Sequence, residues 1–146
     1  MKRLLVNIFL SMAVTISFAK KKPDLDDSKK LEEILKSAVT ILNEKNHVDG
    51  STKYYVPGEE VPFSGWHKQV RQDGEVRSLE QFSNGKSHGL YRYWWKNGKK
   101  SQEKYHHEGV AHGLWSSWYE NGEKQLEQQV RHGKLHGPAM RWYRNG

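Results

Sequence analysis

The chain has no cysteine among its 146 residues and few of the large aliphatic side chains that build an ordinary core. The absence of cysteine excludes a disulfide framework, thiol chemistry and a cysteine-anchored lipoprotein. It is compatible with a location in an oxidising compartment. Bulk comes instead from 6 Trp, 7 Tyr and 4 Phe. The length suits one modest domain whose packing depends on aromatic rings.

Long hydrophobic runs are absent beyond the N-terminus. There, Lys2 and Arg3 precede an apolar run of about 15 residues, and Ser17-Phe18-Ala19 places small residues where an export peptidase cuts. A membrane-spanning helix needs about 20 residues, so a cleaved signal peptide is favoured over the alternative of an uncleaved anchor. The sequence predicts a signal peptide over residues 1–19, with cleavage after Ala19 and a periplasmic or extracellular location.

Positive charge is concentrated in the second half of the chain. Residues 20–81 hold 11 Lys and Arg against 12 Asp and Glu, a net of −1, whereas residues 82–146 hold 11 against 5, a net of +6. Six of the eight histidines also lie in residues 82–146. An anionic partner is therefore expected to meet that half.

Residues 20–53 predict a polar leader followed by one amphipathic helix. From Ser28 to Asn43 the apolar residues recur at the spacing of one helix face. We expect this helix to pack on the start of the following segment and cover its hydrophobic end. The alternative is a helix that binds a partner or a membrane surface.

Residues 54–146 repeat with a period of 24. Seven kinds of residue recur in three copies: Gly85, Gly109, Gly133; His88, His112, His136; Gly89, Gly113, Gly137; Trp94, Trp118, Trp142; Trp95, Tyr119, Tyr143; Asn97, Asn121, Asn145; and Gly98, Gly122, Gly146. A degenerate earlier copy keeps Asp73-Gly74 at the Asn-Gly position. The copies lie near 61–81, 82–104, 105–129 and 130–146, which predicts a repeat array.

Each copy contains the signature of a β-hairpin. An Asn-Gly or Asp-Gly pair between aromatic or alternating runs predicts a two-residue turn with φ > 0, so residues 90–96 should pair antiparallel with residues 99–105. The His-Gly pair is expected to shape the other turn. Stacked hairpins form a twisted single-layer sheet, in which Trp94 and its equivalents are the structural spine.

The pattern Gly-x-x-His-Gly-x-x-x-x-Trp-[Trp/Tyr]-x-Asn-Gly-x-Lys, at residues 85–100 and again at 109–124, resembles the MORN repeat. The resemblance is to a bacterial variant of this repeat, which occurs in proteins often labelled antitoxins of toxin–antitoxin systems. The resemblance implies a mainly β hairpin array and a protein-binding scaffold, antitoxin- or immunity-like, rather than an enzyme. An antitoxin that acts in the cytoplasm does not need a signal peptide, so the predicted signal peptide distinguishes this chain from such antitoxins.

No catalytic or metal site is predicted. The sequence has no nucleophile elbow, phosphate-binding loop, dinucleotide fingerprint or paired carboxylates. His88, His112 and His136 would lie about 10 Å apart along the sheet, too far to share one metal ion. We therefore predict a protein that is not an enzyme and uses no cofactor.

Aromatic residues interleaved with lysine are the candidate binding residues. Tyr91, Tyr93 and Trp95 alternate onto one face of their strand, and Trp115 and Tyr119 are expected beside them. Lys100 is expected opposite Trp95 across the two-residue turn, which would place all six residues on one face.

This face is predicted to bind an unidentified protein. The alternative partner is anionic lipid or a cell-envelope polymer, and nucleic acid is not expected for an exported chain. Two further interpretations stay open: a solvated basic rim that keeps the sheet soluble, and a purely structural envelope component.

Overall fold

The computed structural model describes residues 24–145, and the predicted signal peptide lies outside them. The described chain is mainly β, with one helix and an antiparallel sheet of hairpin strands. The elements in chain order are α1 (Ser28–Ser37), β1 (Asn43–Asn46), β2 (Thr52–Tyr55), β3 (Gly65–Val70), β4 (Val76–Ser83), β5 (Lys86–Trp94), β6 (Lys100–His107), β7 (Val110–Ala111), β8 (Gly113–Trp118), β9 (Lys124–Arg131) and β10 (Lys134–Arg141).

Helix α1 begins as the sequence predicts but ends earlier. The Asp27 carboxylate caps it by accepting hydrogen bonds from the Lys29 and Lys30 amides. The predicted extension to Asn43 is wrong because the backbone becomes extended at Ala38. Val39 then exchanges two backbone hydrogen bonds with β3, so the chain gains sheet pairing in place of another helical turn.

The sheet is an antiparallel meander in which β3, β4, β5, β6, β8, β9 and β10 lie side by side in chain order. Short strand β7 pairs with β6 and is almost continuous with β8. Strands β1 and β2 form a separate hairpin. The predicted pairing is confirmed, since Leu90 lies opposite Tyr105 and Tyr93 opposite Gln102.

The sequence predicts two-residue turns at the Asn-Gly pairs and longer turns at the other end of the strands, and the structure has the reverse. The Asn97 backbone is not left-handed: the amide of Gly98 bonds the Trp95 carbonyl, and the Asn97 side chain accepts from the Lys99 amide. This is a longer turn with only Gly98 at positive φ, of 78°. The two-residue turns lie at the other end of the strands and use Asn84-Gly85, Glu108-Gly109 and His132-Gly133, with φ near +50° at each first residue.

The His-Gly pairs mark β-bulges rather than turns. Next to His88 the pairing of β4 with β5 shifts by two residues, and equal shifts follow His112 and His136. Gly89 has φ of 102°, and a Cβ there would lie 2.0 Å from Gln81 Oε1. Glycine is therefore required both by backbone conformation and by the close approach of the neighbouring strand.

Several hydrogen bonds between strands recur every 24 residues. The side chains of Arg71, Trp95 and Tyr119 donate to the backbone carbonyls of Trp94, Trp118 and Trp142, respectively. The Asn97 and Asn121 amides likewise donate to the Glu120 and Arg144 carbonyls. Each contact joins one Asn-Gly turn to the next, so the turn end of the sheet is held by a repeated set of bonds.

One face of the sheet carries helix α1. The core beneath the helix contains Leu79, Leu90 and Trp94, with Trp94 9% exposed. On the same face the Arg92 guanidinium donates to Glu103, Asp26 and the Leu25 carbonyl. Leu31, Ile34 and Leu35 of α1 pack against this core near the start of the sheet.

The other face is covered near its start by aromatic packing around Phe82. The rings of Tyr54, Phe63 and His67 lie within 5.4 to 6.2 Å of the Phe82 ring. Tyr54 belongs to β2, so the small hairpin lies against this part of the face. In the described part of the chain no helix is long and apolar enough to cross a membrane.

Candidate binding face

Strand register determines which side chains share the face opposite α1. Residues directly opposite one another in an antiparallel pair point to the same side. Ser78 lies opposite Tyr93, Tyr93 opposite Gln102, and Gln102 opposite Ser117. Tyr91 lies opposite Lys104 in the same way. Tyr91 and Tyr93 therefore share this face, and Lys104 shares it with them.

Lys100 lies on the face of α1, so the prediction that all six residues share one face is wrong. The turn at Asn97-Gly98 is longer than two residues, and Lys100 consequently lies opposite Trp94. Its Nζ is 3.2 Å from Asp26 Oδ2 and 4.9 Å from the Trp118 ring centroid. A one-residue change in register moves a side chain to the other face of a sheet.

A continuous row of side chains crosses the open face from β4 to β8. The Arg77 guanidinium is 5.1 Å from the Tyr93 ring and donates to the Tyr93 hydroxyl. The Tyr93 ring is 6.4 Å from that of Tyr91, which is 6.5 Å from the His106 ring. Lys104 and Trp115 complete the row. We call these six residues, Arg77, Tyr91, Tyr93, Lys104, His106 and Trp115, the aromatic strip.

Two buried polar atoms of the aromatic strip have no hydrogen-bond partner among residues 24–145. They are His106 Nδ1 and Trp115 Nε1. Lys104 Nζ lies 4.5 Å from the centroid of the Trp115 ring, a cation–π contact. An unpaired buried donor costs about 1 to 3 kcal/mol, so these groups favour a ligand that supplies the missing partner.

A depression lies near each end of the aromatic strip on the open face. One, of about 770 Å³, is bordered by Arg77, Tyr93, Trp95 and Lys96 beside the Asp73-Gly74 turn. The other, of about 190 Å³, lies between β6, β8 and the β9–β10 hairpin. The aromatic strip connects them, so rings, cations and concave surface occur together.

Trp95 and Tyr119 lie at the turn end of this face, and their polar atoms are already used. Trp95 Nε1 donates to the Trp118 carbonyl, and the Tyr119 hydroxyl donates to the Trp142 carbonyl. The Arg144 guanidinium is 5.6 Å from the Tyr119 ring. Both residues therefore offer ring surface to a partner, whereas their hydrogen bonds hold neighbouring turns together.

Burial changes the titration of the groups around the strip. Burial raises the pKa of Glu80. The hydrogen bond donated by the Ser87 hydroxyl lowers this pKa, but by less than burial raises it. Burial and the nearby Glu80 carboxylate raise the pKa of Tyr91. Burial, aided by the Lys104 charge, lowers the pKa of His106. The strip thus presents a neutral imidazole beside a lysine cation at neutral pH.

Four histidines form a row at the two-residue-turn end of the sheet, which the sequence pattern did not reveal. Ring centroids are 5.0 Å apart for His88 and His107, 6.5 Å for His107 and His112, and 5.8 Å for His112 and His132. Among residues 24–145 no group of three or more His, Asp or Glu side chains is arranged to hold a metal ion.

Sequence reasoning missed Arg77, Lys104 and His106 as members of the site. Lys104 lies opposite Tyr91, where the predicted pairing of residues 90–96 with residues 99–105 already places it. Arg77 lies at a bulge in β4, which brings it beside Tyr93. His106 follows from alternation with Lys104, so the predicted register was sufficient to place both residues of β6 on this face.

No known protein family, curated protein or solved structure matches the chain.

Proposed function

We propose that this protein is a non-catalytic binding protein that holds another protein against its aromatic strip. The framework is a MORN-like array with a 24-residue period, and the chain acts after export to the periplasm or the exterior. An antitoxin- or immunity-like role is the form of this proposal that the family resemblance favours.

The observation that carries the proposal is the combination of rings and cations on the open face of the sheet. Tyr, Trp and Arg are the residues that contribute most to protein–protein binding energy. Tyr93 with Arg77, and Trp115 with Lys104, form two such anchors at opposite ends of the strip. All four side chains are held on strands, which limits the entropy lost on binding.

The recurring turn contacts support the array part of the proposal. The same donor and acceptor positions occur three times at a spacing of 24 residues. Bonds of this kind let each hairpin stabilise its neighbour, as repeat proteins require. The predicted signal peptide supports export.

Capture experiments with matched variants test the binding proposal. The immobilised protein is exposed to a solubilised envelope extract and washed at about 0.3 M salt, where charge contacts at the surface are screened. We expect Tyr93→Ala and Trp115→Ala each to reduce capture of one protein at least tenfold, the loss typical of an interface anchor of about 1.4 kcal/mol or more.

Trp118→Ala is the matched control. Trp118 lies three residues from Trp115 on the same strand, also has a lysine over its ring, and faces the α1 side. Equal loss of capture in the Trp115 and Trp118 variants would contradict the proposal.

Binding of anionic lipid or envelope polymer is the second candidate, favoured by Arg77, Lys96 and Lys104 around the strip. A complex driven by charge weakens steeply with ionic strength. Recovery of lipid or polymer that is lost in the salt wash, without an enriched protein, would favour this candidate.

A further inference from the structure

The smaller depression on the open face has the features of a site for a single chemical group. Its volume is about 190 Å³. A cavity of about 150 Å³ accepts benzene, so this one suits one aromatic or branched aliphatic group rather than a larger ligand. Val130, 8% exposed, and Leu135, 66% exposed, give it one buried and one accessible apolar wall.

The opposite wall is polar and positively charged. Lys104, His106 and Trp115 line it, and they include the two shielded nitrogens that lack a partner among the described residues. An indole N–H can only donate, and an ammonium can only donate, so both require an acceptor oxygen. An anionic oxygen satisfies both groups and compensates the lysine charge.

We propose that this cavity binds an apolar group that carries a carboxylate, and that it is the point at which the protein partner inserts such a group. The apolar part lies against Val130 and Leu135, and the carboxylate accepts from Lys104 and the Trp115 indole. The inference rests on the proposed binding of a partner at the aromatic strip. Two sources offer this chemistry: the C-terminal residue of a peptide chain and a free short-chain acid.

NMR titration of the ¹⁵N-labelled protein distinguishes the two sources. The probes are a short peptide ending in leucine with a free carboxylate, the same peptide with a C-terminal amide, and 4-methylpentanoate. We expect saturable shifts of the Trp115 indole signal with the peptide acid or with 4-methylpentanoate, and at least tenfold weaker binding of the amide. Tighter binding of the peptide identifies a chain end, and equal binding identifies a free acid.

Variants of the cavity wall and a matched control define the site. Lys104→Met removes the charge, and Ala111→Leu fills the cavity from the position opposite His106. Each is expected to weaken binding at least tenfold. Lys124→Met is the control, because Lys124 lies 5.7 Å from the Trp142 ring in another lysine–tryptophan pair, on the face of α1.

The inference is overturned if neither acid gives saturable shifts up to about 10 mM, well above a millimolar Kd, or if binding is unchanged in Lys104→Met and Ala111→Leu. Partner capture separates this failure from failure of the proposed function. Loss of capture in Tyr93→Ala but not in Ala111→Leu means that the strip binds a partner without using the cavity. Retention of capture in both variants contradicts the binding proposal itself.

Discussion

At the scale of single residues, the two faces of the sheet use polar groups differently. On the face of α1, Arg92 is 4% exposed and its donors are taken up by Glu103, Asp26 and a backbone carbonyl. On the open face, Trp115 Nε1 and His106 Nδ1 are shielded but lack partners among the described residues. Satisfied groups stabilise the fold, and unsatisfied ones favour a ligand.

Removing Arg92 tests the buried ion pair. Arg92→Leu leaves the Glu103 carboxylate in a largely buried position, with 17% of its side chain exposed. We expect the free energy of unfolding to fall by about 2 to 3 kcal/mol, near the lower limit for a broken buried pair because Lys100 stays close to Glu103. Urea denaturation measures the change, and adding Glu103→Leu should recover most of it. An equal or larger loss in the double variant would contradict this account.

Glu80 is predicted to make stability depend on pH. Because burial raises its pKa in the folded state, its stabilising contribution is complete below the unfolded-state pKa and is lost as the pH rises through the folded-state pKa. Glu80→Gln should therefore be more stable than the wild type at pH 8, and the difference should shrink towards pH 4. Thermal unfolding across this range measures the difference.

Glu120→Gln provides the control for Glu80, since Glu120 is an exposed turn residue. The pH dependence of Glu80→Gln is read against that of this variant. An advantage of Glu80→Gln that grows as the pH falls would reverse the predicted sign.

At the scale of elements, the turns and bulges decide which side chains meet. His132 occupies the first position of a two-residue turn with φ of 50°, where Asn84 occupies the equivalent position with φ of 48°. Asparagine adopts this left-handed conformation more readily than histidine.

Exchanging these residue types tests the turn assignment. We expect His132→Asn to raise the free energy of unfolding by about 0.5 to 1 kcal/mol and Asn84→His to lower it by a similar amount. Urea midpoints of the two variants measure the effect. Shifts in the same direction would show that the two turns are not equivalent.

The sequence predicted the hairpins, the alternation of Leu90 and Tyr91 between faces, and a helix over the start of the sheet. It did not predict the turn length at Asn97, because Asn-Gly suits both a two-residue turn and a longer turn with one left-handed glycine. That one extra turn residue moved Lys100 to the other face. The end of the helix was missed because pairing of Val39 with β3 is a tertiary contact without a local signal.

At the scale of the whole molecule, the two sides of the sheet are unequal. Helix α1 and its contacts cover the first strands on one side, and the β1–β2 hairpin covers the region of Phe82 on the other. The aromatic strip lies beyond that hairpin, between two depressions. This arrangement concentrates accessible rings and cations on one side of β5, β6 and β8.

Site-specific photo-crosslinking in intact cells tests the central claim, that the open face binds a protein, most directly. A photoreactive phenylalanine analogue replaces Tyr93 on the open face or Met140 on the other. Met140 is 52% exposed. It lies opposite Glu127, which lies opposite Ser116. Ser116 lies opposite Glu103 and Glu103 opposite Arg92, so Met140 shares the face of α1 with Arg92. We predict one discrete protein adduct from position 93 and none from position 140. An adduct from position 140 alone, or no protein adduct from position 93, would contradict the account.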